Sequence, residues 1–83
     1  MANPRAFKEG LYELYARIGK GLSSPARLEI LELLAQGERT VESLAGEIGL
    51  STANTSQHLQ ALKHASLVQA RRQGLFIHYR CLR

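Results

Sequence analysis

Thr52, Ala53, Asn54, Ser56 and Gln57 form a run of small, uncharged side chains, most of which can donate or accept hydrogen bonds. An ordinary solvent-facing helix carries Lys and Glu at such positions, solvated and paired at i,i+4. Asn and Gln offer a donor and an acceptor together, and a serine hydroxyl fits either role. Near the start of a helix, these are the groups with which base edges in a major groove are read. The plainer reading is a polar face on a small helical bundle, and a short motif alone separates the two weakly.

Other chemistry has less support. The chain holds no nucleophile with a base and an orienting group at recognisable spacing, no glycine-rich phosphate loop, and no paired carboxylates away from a helix surface. No catalytic residue is therefore expected. A single cysteine, Cys81, excludes an internal disulfide framework and cannot alone make a structural zinc site. His58, His64 and His78 do not stand at the i,i+3 or i,i+4 spacing that lets imidazoles share an ion, so neither metal nor cofactor is expected and His58 reads as a packed or capping residue.

The reading residues need a helix and something to hold it. Residues 41–64 read as two short helices joined by a tight turn, a helix-turn-helix. Val41, Leu44, Ala45 and Ile48 make one apolar stripe, with Glu42 and Glu47 outward. Gly49 ends that helix in the left-handed conformation that costs glycine no Cβ strain, and Ser51 caps the next. Thr55, Leu59 and Leu62 form the inner stripe of the second helix, from about Thr52 to His64.

Charge is distributed unevenly around this motif. The chain has 83 residues and a formal net charge of +4, but all seven acids lie at or before Glu47, where six Lys and Arg leave a net −1. From Ile48 onward there are five basic residues and no acid. A uniformly basic half that begins where the second motif helix begins suits a polyanion. A protein-interaction module is the competing class, and salt-dependent binding to random duplex separates the two.

The rest of the chain supplies supports. Asn3 can cap and Pro4 suits the first position of a helix from about residue 4 to 19, on which Phe7, Leu11, Leu14, Tyr15 and Ile18, with Tyr12, make a broad apolar face. Residues 1–21 are thus a candidate dimerisation segment, the alternative being a helix packed on its own core. Ser24 and Pro25 open a second helix, from Ala26 to Gln36, that is apolar almost all round and so expected to be central and buried. Gly37 ends it, Glu38 and Arg39 form an exposed link, and Thr40 caps the motif's first helix. Residues 67–72 and 75–82 read as two strands with a turn at Gln73 and Gly74, a wing over residues 67–82 carrying Arg71, Arg72 and Arg80. The wing suits a phosphate backbone or a minor groove. Ser51, Gln60 and Lys63, with Arg71, Arg72 and Gln73, are the candidate backbone contacts. The whole is one mostly α domain with a β-hairpin, a winged helix-turn-helix, with no hydrophobic signal region and no apolar run long enough to span a bilayer. A soluble cytoplasmic protein is expected.

With this order of elements, the chain resembles the ArsR/SmtB-type family of bacterial winged-helix repressors. The resemblance runs through LSSPARLEILELLAQGE, LAGEIGLSTANTSQHLQALKHASLV and ARRQGLFIHYRCL. It implies a homodimer that binds an imperfect inverted repeat in an operator and leaves it when an inducer binds. By matching positions, Thr52, Ala53, Ser56 and Gln57 would face base edges, and Arg71, Arg72 and Gln73 would form the wing tip; His58 and Leu59 match the family's recurrent His-Leu pair. Metal-sensing members carry a cysteine-bearing box in the motif's first helix, whereas ERTVESLA has none, and no Asp/His pair stands near the C-terminus. Most relatives continue past the wing into a C-terminal helix, while this sequence ends at Arg83. The expectation is either a piece of a longer regulator, such as one followed by a rhodanese-like sulfur-handling domain, or a dimer carried by the first helix alone.

Overall fold

The computed structural model describes residues 4–82. Its elements are α1 (Pro4–Gly21), α2 (Pro25–Gln36), β1 (Arg39–Thr40), α3 (Val41–Ile48), α4 (Thr52–His64), β2 (Val68–Gln73) and β3 (Phe76–Cys81). Side-chain caps set three of the helix starts. Ser24 Oγ accepts from the Ala26 N–H at 3.2 Å, just ahead of Pro25 in the first turn. Thr40 Oγ1 accepts from the Ser43 N–H at 3.1 Å, and Ser51 Oγ from the Asn54 N–H at 3.0 Å. Each satisfies a backbone donor that the helix cannot, an effect of about 1 kcal/mol per cap. Asn3, the expected cap of α1, lies outside the described residues, and α1 runs on past Gly19 to Gly21.

Gly49 ends α3 at φ 73°, and its N–H bonds the Ala45 carbonyl at 2.9 Å. The chain turns there at no Cβ cost and enters α4 directly. Ile30 and Leu34 of α2, Val41 and Leu44 of α3, Leu59 and Leu62 of α4, Val68 and Tyr79 form the core. Both expected inner stripes therefore point inward, with Thr55 fully buried and Ile48 half-buried.

The expectation that α2 is central and buried holds on one side only. Ile30 and Leu34 are buried, Leu31 and Leu33 are half-buried, and Leu28 is 52% exposed. The motif helices and the sheet cover one side of α2 and leave the other open. The link at Glu38 and Arg39 is also more than a link. Arg39 and Thr40 add a short strand, so the sheet has the order β1-β3-β2, antiparallel throughout, with Arg39 opposite Tyr79 and Thr40 opposite His78. The wing turn shifts by one residue: Gln73 pairs with Phe76, which leaves Gly74 and Leu75 as the loop. Gly74 has φ 62°, a conformation a two-residue hairpin loop needs and glycine supplies.

Candidate nucleic-acid interface

The N-terminal half of α4 divides cleanly into inner and outer faces. Thr55 is buried and its hydroxyl donates to the Ser51 carbonyl at 2.8 Å, so it anchors the first turn. Thr52, Ala53, Asn54 and Gln57 are exposed, and Ser56 is half-buried. The wing stands beside them. Thr52, Ala53 and Ser56 form one wall of an open groove of about 300 Å³, Leu75 and Ile77 line the other, and Val41 and Glu42 complete it. The fold thus brings the candidate base-reading residues and the wing together, although roughly twenty or more positions separate them in sequence. Leu75, at 92% exposure, and Ile77 were missed by the sequence reading; a large apolar residue directly after the turn glycine was the available signal.

The wing arginines are not equivalent. Arg71 and Arg72 have no acid in their own half of the chain, but the fold carries Glu38 across β1 to the wing. Arg71 Nη2 forms an ion pair with Glu38 Oε1, and its Nη1 donates to Gln73 Oε1 at 3.0 Å. His78 Nδ1 stands 3.5 Å from the same carboxylate oxygen. Arg72, on the opposite face of β2 and beside Ile77, is exposed and makes no ion pair among the described residues. The carboxylate takes up part of the charge of Arg71, whereas Arg72 keeps its own.

The other expected backbone contacts also differ from one another. Lys63 is exposed in the last turn of α4, where a cation suits the helix dipole. The Ser51 hydroxyl oxygen is engaged as the α4 cap. Gln60 Nε2 donates to the Tyr79 hydroxyl at 3.2 Å, which ties α4 to the sheet. Burial raises the Tyr79 phenol above its ordinary 10.0, and the Gln60 hydrogen bond opposes that rise. Burial likewise raises the Cys81 thiol, which is half-buried with its sulfur 3.8 Å from the Leu31 carbonyl, a setting that disfavours a reactive thiolate.

His58 accepts a hydrogen bond at Nδ1 from Arg27 Nε at 3.1 Å, and Arg27 is a residue that the sequence reading left without a role. Among the described residues, no three His, Cys, Asp or Glu side chains group in a way that could hold a metal ion. On α1, Phe7, Tyr12, Leu14 and Tyr15 are exposed, and Leu11 and Ile18 are half-buried. None of these residues belongs to the buried core. No helix among the described residues is long and apolar enough to cross a membrane.

Known proteins share this fold. Residues 24–70 match the family described as "Bacterial regulatory protein, arsR family". The HTH-type transcriptional regulator Rv0324 of Mycobacterium tuberculosis is 48% identical over 80 residues, covering 96% of this chain and 35% of that protein. The transcriptional repressor SdpR of Bacillus subtilis is 38% identical over 60 residues, covering 72% of this chain and 67% of that protein. The chain thus spans about a third of the length of Rv0324. Among solved structures, the homodimeric winged helix-turn-helix DNA-binding domain (fragment 1–100) of Mb0332 from Mycobacterium bovis superposes with a TM-score of 0.89 at 47% identity, covering 98% of this chain and 75% of that one. The fold is a winged helix-turn-helix, and the chain belongs to the arsR family of bacterial regulatory proteins.

Proposed function

We propose that the chain binds duplex DNA sequence-specifically as a homodimer and regulates transcription in the cytoplasm, as a repressor released from an inverted-repeat operator by an inducer. The exposed, acid-free N-terminal half of α4 carries this reading. Its outward side chains are mostly hydrogen-bonding groups of the kind that discriminate bases, and the wing beside it offers Arg72, which makes no ion pair among the described residues. In this assignment Thr52, Ala53, Asn54, Ser56 and Gln57 face base edges. Arg72 and Lys63 meet phosphates, joined by Ser51 and by the Gln73 and Arg71 pair, with Gln60 acting mainly as a brace to Tyr79. Phe7, Leu11, Leu14, Tyr15 and Ile18 form the dimer face. The relatives named as transcriptional regulators and repressors support the same reading.

The test is selection from a pool of random duplexes, followed by titration of the enriched and of an unselected duplex at several salt concentrations. Enrichment of a two-fold repeated site, with log K falling linearly in log salt on both duplexes, is the expected outcome. Binding to neither duplex would sink the reading and favour a protein-interaction module on the same fold.

A further inference from the structure

Arg27 joins three helices through one guanidinium. It stands in the first turn of α2; its Nη1 donates to the Lys20 carbonyl in the last turn of α1 at 2.6 Å and lies 3.5 Å from Ser23 Oγ. Its Nε donates to His58 Nδ1, in the middle of α4, at 3.1 Å. The Lys20 carbonyl also accepts from the Ser23 hydroxyl at 2.7 Å, so the C-terminal end of α1, where the helix dipole favours a cation, is held from two sides. We propose that Arg27 is a positioning residue that sets the angle between the dimer helix α1 and the reading helix α4, and thereby the separation at which a dimer accepts its two half-sites.

The proposal rests on the dimeric DNA-binding reading and adds to it a determinant of spacing that touches no base. Its physical basis is leverage. α1 is 18 residues long, roughly 27 Å at the usual helical rise. A change of about 5° in its angle to α4 moves the far end by roughly 2 Å, well outside the tolerance of a hydrogen bond. Half-sites one helical turn apart must be met with that accuracy at both ends. The bond also orients the imidazole, since it turns the Nδ1 lone pair toward the guanidinium.

Selection from random duplexes with wild type, Arg27→Met and Gln57→Ala provides the test. Arg27→Met should enrich the same half-site sequence as wild type over a broader range of half-site spacings, and should lose roughly tenfold in affinity at the wild-type spacing. Gln57→Ala should do the reverse and alter the half-site while keeping the spacing. His58→Phe removes the acceptor without touching the α1 or α2 termini, so it should reproduce the broadened spacing even if Arg27→Met folds poorly, and the double variant should add little to either. In the free protein, the His58 Nδ1 nitrogen shift should move in Arg27→Met, because that nitrogen loses its donor. Unchanged spacing in both Arg27→Met and His58→Phe would overturn the proposal and leave Arg27 as a helix cap. Equal affinity loss on selected and unselected duplex would make it a phosphate contact instead. Enrichment of no site by wild type would instead defeat the DNA-binding reading, and this inference with it.

Discussion

Among single residues, the contrast between Arg71 and Arg72 separates two effects that the sequence presents as one. A guanidinium that meets phosphate releases condensed counterions, and log K falls by about 0.9 per log unit of salt for each phosphate neutralised. Arg72 makes no ion pair among the described residues, so Arg72→Ala in a dimer should flatten the slope by about two units on selected and random duplex alike. Arg71 already holds Glu38, and Arg71→Ala should flatten it less. Glu38→Gln makes the sharper test: with the carboxylate gone, Arg71 becomes a free cation, and random-duplex affinity and salt slope should both rise. A slope unchanged in Arg72→Ala would leave the wing as packing. In the proposed assignment Gln57 reads rather than attracts, so it should behave differently. Gln57→Ala should cost on the order of 1–3 kcal/mol at the selected site and little on random duplex. Equal losses on both would remove Gln57 from the reading set.

The elements differ in how much of each could be read from sequence. α3 and α4 were legible because each carries its own local signals: a capping hydroxyl, a stripe at helical spacing, and Gly49 at the stop. β1 was not, since two residues carry no periodicity and their pairing partner is Tyr79 and His78, far along the chain. The same holds for the pairs Glu38–Arg71 and Arg27–His58, each joining residues more than thirty positions apart, which only the folded chain brings together. α2 was misjudged because a composition apolar all round does not say which sides the rest of the molecule covers. Two stability predictions belong here. Gly49→Ala places a Cβ in open space but at φ 73°, so its cost is conformational alone and should be about 1 kcal/mol in urea unfolding. Tyr79 and Cys81 are neutral in the fold and their protons are held more tightly than in the unfolded chain. Their contribution is complete below the ordinary values of 10.0 and 9.0 and is lost as pH rises through the higher folded values. The urea midpoint should therefore fall at strongly alkaline pH, and Tyr79→Phe should retain a larger share of its own neutral-pH midpoint there. An equal fractional fall in both proteins would show that the Tyr79 phenol is not responsible.

The dimensions of the chain leave surface for the proposed second copy. Its radius of gyration is 14.7 Å and its extents are 48 × 27 × 22 Å, whereas a compact 83-residue monomer should have a radius near about 12 Å. It exposes 5841 Å², against about 4,900 Å² for a monomer of its mass. The excess, about 900 Å², is close to the roughly 800 Å² that one partner contributes to a standard interface. α1 accounts for much of it, since Phe7 is 68%, Tyr12 62% and Tyr15 58% exposed and none of its described side chains joins the core. Burying aromatic side chains of this size in a two-fold contact is the kind of anchor on which interfaces depend, and that contact would also set the distance between two reading helices at roughly 34 Å per turn of duplex. Sedimentation at tens of micromolar should therefore show two chains. Leu11 is half-buried along the same stripe, and Leu11→Lys would force an ammonium into the contact. It should yield monomers that keep the wild-type helical circular dichroism but lose most of their affinity for the two-fold site, with a smaller loss on an isolated half-site. A dimer that survives Leu11→Lys would place the subunit contact elsewhere, and a wild type that sediments as one chain would leave the apolar face of α1 without a partner.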